Sequence, residues 1–114
     1  MVYYDDSIYE AHANFYSALG NEKRLHIVHL LGEGERSVGE IAEELGLSPS
    51  NVSQHLRIMR DLGLVRGRKN GTQVFYTITS RKFIDGYRLI REGLAEIHFS
   101  RSEVLFPEDR EEHT

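Results

Sequence analysis

The sequence predicts a mainly α-helical domain of about five helices with one small β-hairpin, and three observations support this. The segment from Val38 to Ile78, VGEIAEELGLSPSNVSQHLRIMRDLGLVRGRKNGTQVFYTI, reads as a short amphipathic helix, a glycine turn, a second helix and a basic hairpin. Positive charge is concentrated there. Between Ser48 and Lys82 stand seven basic residues (Arg57, Arg60, Arg66, Arg68, Lys69, Arg81, Lys82) against one acid, Asp61, or +6 in a chain of formal net charge -4. The last helical segment carries a narrow apolar seam, Phe83, Tyr87, Ile90, Leu94 and Ile97, at alternating spacings of four and three. Two helices around a glycine turn with a hairpin behind them make a winged helix-turn-helix, an arrangement that sets one helix in a DNA groove. The domain is expected over residues 1–100, with an acidic, flexible tail over 101–114.

The first helix is expected over 7–19. Ser7 can cap it, and Ile8, Ala11, Phe15, Ala18 and Leu19 form an apolar stripe. Asn21 caps a second helix, 22–32, which Gly32 and Gly34 break; Leu25, Val28 and Leu31, or Ile27 and Leu30, turn inward. Ser37 caps the third, with Glu40 at the capping-box position and Val38, Ile41, Ala42 and Leu45 on the apolar face. Gly46 supplies the left-handed turn. Ser48-Pro49 starts the fourth helix, which runs to about Leu62 and stops at Gly63. Its core face is Val52, Leu56, Met59 and Leu62. Ser50, Ser53, Gln54 and Arg57 share another face, and they are side chains of the kind that read base edges and hold phosphates. Strands follow at 64–69 and 73–78 about a type I′ turn at Asn70-Gly71, and a last helix covers about 80–100.

Composition narrows the function classes. The 39% hydrophobic and 28% charged fractions are those of an ordinary globular domain, and no apolar run approaches a membrane span. MVYYDDSIYEAH is not built like a signal peptide, so a cytoplasmic location without membrane contact is expected. The absence of cysteine removes disulfides, thiolate metal sites and cysteine nucleophiles together. No phosphate loop, catalytic carboxylate pair or Ser-His-Asp arrangement is recognisable, so neither an enzyme nor a cofactor is expected. A basic surface on an acidic chain points to a polyanion.

At this point the chain resembles the ArsR/SmtB family of small bacterial and archaeal winged-helix repressors over roughly residues 10–100. The resemblance is carried by Ala18 through Ile27 (ALGNEKRLHI), Leu47 through Leu56 (LSPSNVSQHL), Asp61-Leu62-Gly63-Leu64-Val65 and Val74-Phe75-Tyr76. It implies a homodimeric transcriptional regulator that binds operator DNA and responds to an inducer, here unknown. Metal-sensing relatives place thiolates where this chain has Ser37 and Gly39, so that site is absent. A second family site, on the last helix, falls on Asp85, Tyr87, His98 and Arg101, of which only Asp85 and His98 suit a metal.

Expected DNA contacts are Ser50, Asn51, Ser53, Gln54, His55 and Arg57 on the fourth helix, and Arg66, Arg68, Lys69 and Gln73 on the hairpin. The expected partner is double-stranded DNA carrying an inverted repeat. Ile8, Phe15, Phe83, Tyr87, Ile90, Leu94 and Ile97 are the expected dimer contacts. Arg57 and Asp61 are spaced for a surface ion pair, and His26 and His29 for a packed pair. Tyr3, Tyr4, Tyr9 and Tyr16 suit either a small-molecule pocket or packing under an interface. Two other functions stay open: a winged-helix module that binds protein, and a metal-responsive repressor built on Asp85 and His98.

Overall fold

The computed structural model describes residues 6–105, with side chains as far as His98. In chain order the elements are α1 (Asp6–Leu19), α2 (Glu22–Glu33), β1 (Arg36–Ser37), α3 (Val38–Leu45), α4 (Pro49–Asp61), β2 (Val65–Asn70), β3 (Gln73–Ile78) and α5 (Arg81–Leu105). The strands form one antiparallel sheet ordered β1-β3-β2. Tyr3, Tyr4 and the acidic run after Pro107 lie outside the described residues.

Local chemistry sets the helix starts. Asn21 accepts from the N–H groups of Lys23 and Arg24 at the head of α2. Ser37 and Glu40 complete a reciprocal capping box on α3, and the Ser37 backbone N–H holds the Glu40 carboxyl below the usual carboxylate range. Ser48 accepts from Asn51 N–H, with Pro49 at the first position of α4. Gly46 has φ 66° and returns its N–H to α3, which makes the tight turn between the two helices.

The core gathers on α2, α3 and α4. Ile27, Ile41, Val52, Leu56 and Met59 are fully shielded, joined by Val28, Leu30, Leu31, Leu64 and Val65. Phe15 of α1 stacks on Phe83 of α5 at 5.2 Å, and both rings pack on the rim of this core. Among the described residues no helix is long and apolar enough to cross a membrane.

Several expectations need correction. Ser7 lies within α1 rather than capping it, and no α1 residue is buried. Gly32 does not break α2, which continues to Glu33. A Cβ at Gly32 would stand 3.5 Å from Ile84 Cγ2, an ordinary contact with α5. Leu25 is exposed, while Ile27, Val28, Leu30 and Leu31 are buried together. The two-residue strand β1 is a further difference, since Ser37 serves as a strand residue as well as a cap. It pairs Arg36 with Tyr76 and Ser37 with Phe75. The hairpin turn is shifted by one residue. Asn70 pairs with Gln73, leaving Gly71 and Thr72 at the centre. Only Gly71 has positive φ, at 66°, which excludes type I′ and matches the glycine-first pattern of type II′. Helix α5 continues to Leu105, five residues beyond its expected end.

Candidate nucleic-acid interface

Helix α4 divides cleanly by side. Val52, Leu56 and Met59 enter the core, while Ser50, Asn51, Ser53, Gln54 and Arg57 are exposed. The capping turn below them is ordered by Ser48, whose hydroxyl lies 3.2 Å from that of Ser50. Ser50, Ser53, Gln54 and Arg57 therefore share one solvent-facing side of a helix whose other side is fixed in the core. Short hydroxyls, an amide and a guanidinium on a rigid helix can donate to and accept from base edges and phosphates.

The hairpin stands beside α4. Its base is clamped by Thr79, whose N–H donates to the Leu64 carbonyl at 3.0 Å and whose hydroxyl donates to the Gly63 carbonyl at 2.6 Å. Arg66, Lys69 and Gln73 are exposed along it. Among the described residues Arg57, Arg60, Arg66, Lys69 and Lys82 have no acid at ion-pair distance. A surface of unneutralised cations around a polar helix face can take a polyanion. The expected Arg57–Asp61 pair is not formed. Both side chains are exposed, where ordering two long side chains offsets the small Coulomb gain.

Two residues on the expected DNA-contact roster are engaged within the protein. Arg68 forms a two-pronged bond to Glu35, Nε to Oε2 at 3.2 Å and Nη2 to Oε1 at 2.8 Å, and its guanidinium sits 5.3 Å from the Phe75 ring centre. That bond holds the Glu35 carboxyl below its ordinary range and raises Arg68. His55 is half-buried, and its Nδ1 accepts from Arg24 Nε at 3.3 Å. Arg24 also donates to the Ala18 carbonyl at 2.7 Å, so one guanidinium ties the end of α1 to α4. Burial first, then Arg24 and Lys23, push the His55 imidazole down. A neutral ring that accepts at Nδ1 carries its proton on Nε2. Arg24 lies in the run that carries the family resemblance, but neither it nor Glu35 is an expected site residue. Each is more than thirty residues from its partner, and no local pattern links them.

Among the described residues, the histidines away from α4 show no ligand set. His26 is exposed; His29 Nδ1 lies 3.1 Å from Arg91 Nη1, which also donates to the Tyr87 hydroxyl at 2.9 Å. Asp85 pairs with Arg81 at 3.9 Å. His98 is thirteen residues further along the same helix, roughly 20 Å away, so the two cannot share an ion within one chain. Among the described residues no three His, Asp or Glu side chains gather as a metal site.

On the α1–α5 side the expected dimer contacts fall into two groups. Phe15, Phe83 and Tyr87 are half-buried against the chain's own core. Ile8, Ile90, Leu94 and Ile97 are exposed, together with Leu89, Tyr9 and Tyr16.

Comparison with known proteins agrees with this geometry. A family profile described as bacterial regulatory protein, arsR family, matches residues 21–66. The HTH-type transcriptional regulator Rv0081 of Mycobacterium tuberculosis is 34% identical over 101 residues, 88% of this chain and 89% of that one. Its crystal structure superposes with a TM-score of 0.77 at 33% identity, covering 85% of this chain and 98% of that chain. The solution structure of the homodimeric winged helix-turn-helix DNA-binding domain Mb0332 from Mycobacterium bovis gives a TM-score of 0.75 at 30% identity, covering 89% and 95%. The biofilm growth-associated repressor of Xylella fastidiosa is 40% identical over 70 residues, 61% of each chain.

Proposed function

Because the chain belongs to the ArsR family of bacterial regulatory proteins, which are DNA-binding transcriptional regulators, we propose that it is a homodimeric, sequence-specific repressor that occupies an inverted-repeat operator. In this reading α4 enters the major groove. Ser50, Ser53 and Gln54 face base edges and Arg57 holds phosphate, with Asn51 and His55 at the flanks. Arg66, Lys69 and Gln73 bring the hairpin onto the adjacent backbone. The observation that carries the reading is the divided surface of α4: Val52, Leu56 and Met59 are locked in the core, while Ser50, Asn51, Ser53, Gln54 and Arg57 face solvent beside cations without acid partners among the described residues. The exposed apolar residues of α5 supply the two-fold contact, and the homodimeric assembly of Mb0332 supports that choice. A role on the chromosome places the protein in the cytoplasm.

The test uses a duplex enriched from a random-sequence pool by the full-length protein. Log affinity should fall linearly with log salt, with a slope of about -0.9 per phosphate contacted. Gln54→Ala should relax sequence preference by about 1–3 kcal/mol at its base pair. Removing the gene should raise expression from a reporter that carries the enriched site. A fall in expression would make the protein an activator. An affinity indifferent to both salt and Gln54 would favour the protein-binding module.

A further inference from the structure

Arg68 spans the whole sheet. It stands on the outer strand β2, directly opposite Phe75 of β3, so the two side chains share one face. Phe75 is in turn opposite Ser37 of β1. The guanidinium crosses the Phe75 ring and ends on Glu35, the residue just before β1. One side chain thus links the wing's far strand to the segment that leads into the helix-turn-helix. Both prongs of the bond use the Nε–Nη2 edge, the edge that would otherwise grip a phosphate. Charge tells the same story. Arg66 and Lys69, the neighbouring cations on β2, have no acid at ion-pair distance among the described residues, whereas Arg68 is neutralised.

We propose that Glu35 is a positioning residue for DNA binding: it holds Arg68 as a strut that fixes the angle of the wing to the helix-turn-helix, and Arg68 acts through that strut rather than as a phosphate counter-charge. This rests on the DNA-binding reading above and divides its wing cations into two kinds. Arg66 and Lys69 meet the polyanion. Arg68 and Glu35 aim the surface that carries them.

The experiment measures affinity for the enriched duplex across a salt series. Glu35→Gln and Arg68→Ala should each weaken binding by about three- to fivefold, the effect of losing one exposed ion pair, and the double variant should be no weaker than the weaker single. Neither should change the salt slope. Lys69→Ala and Arg66→Ala should each flatten it by about 0.9. Exchanging the charges, Glu35→Arg with Arg68→Glu, should recover most of the affinity, because a strut works with either polarity. The proposal is overturned if Arg68→Ala flattens the slope by about 0.9 while Glu35→Gln tightens binding, since Arg68 would then be a phosphate ligand masked by its partner. It is equally overturned if the exchanged pair binds worse than either single variant. If no substitution on β2 changes either affinity or slope, the DNA-binding reading of the wing fails, and the strut with it.

Discussion

Helices α4 and α5 treat their apolar residues in opposite ways. α4 hides Val52, Leu56 and Met59 completely and, apart from Pro49 and Ile58, gives its remaining positions to polar groups. α5 commits Phe83, Ile84 and Tyr87 to the core, then leaves Leu89, Ile90, Leu94 and Ile97 at least half exposed over its later turns. α1 beside it buries nothing, and its Ile8, Tyr9 and Tyr16 face outward too. The proposed reading head is therefore packed within one chain, while the α1–α5 side keeps an apolar surface that the proposed dimer would cover. Isolated exposed apolar residues need no explanation, but a row of them on a helix at heptad-like spacing beside a second apolar helix does.

Substitutions can test how separate these two regions are. The largest effect is expected inside the head. Leu56→Ala should cost about 2–5 kcal/mol of folding free energy by urea titration, since Leu56 is fully enclosed and its loss leaves a cavity. A smaller cost would mean that the head collapses around the gap and is less rigid than its packing implies. Next comes Ile90→Glu on the other side. It should leave the single chain folded, because residue 90 is half exposed there. Across a dimer it should cost roughly 3 kcal/mol, on the order of a hundredfold in the dimer Kd. Sedimentation should show monomer, and operator affinity should fall with it, although residue 90 stands on α5 and not on α4. A variant that remains dimeric would place the interface elsewhere.

The smallest effect concerns the bond from Arg24 to His55, made by the guanidinium that also holds the Ala18 carbonyl at the end of α1. The folded state holds this imidazole below its ordinary pKa, so as pH falls the unfolded chain takes up the proton first. The stability contributed by the neutral ring is present above about pH 6.5 and is lost as pH drops through the lower folded value. Melting temperatures followed downward from neutral pH should fall less steeply for His55→Gln than for the unaltered chain. Equal slopes would show that the bond is not what acid breaks.

Much of this fold could be read from the sequence because its signals are local. Asn21, Ser37 with Glu40, and Ser48-Pro49 act within one helical turn, and each does what its chemistry suggests. The exposed face of α4 followed from helical spacing alone. What escaped was set by residues distant in sequence. β1 exists because Phe75 and Tyr76 come alongside Arg36 and Ser37, and two residues carry no periodicity of their own. Gly32 stays helical because α2 is held in the core by its neighbours and Ile84 comes to lie against it. Spacing marks the seam on α5 as apolar, but it cannot tell that Phe83 and Tyr87 are used internally while Ile90, Leu94 and Ile97 are not. Arg68 looked like one more cation on a basic hairpin until the fold brought Glu35 to it.

Ser37 belongs to two machines at once. It is the last residue of β1, in register with Phe75 of the wing's sheet, and it is also the N-cap from which α3 starts. With no spacer between them, wing and helix pair form a single casting. A duplex that does not match it must do the yielding, by bending, twisting or narrowing a groove. That elastic work depends on base sequence even where no side chain reaches, and for a bend of 40–90° it amounts to about 1–6 kcal/mol. Operators with identical contacted bases would then be ranked by the stiffness of the untouched steps between the half-sites.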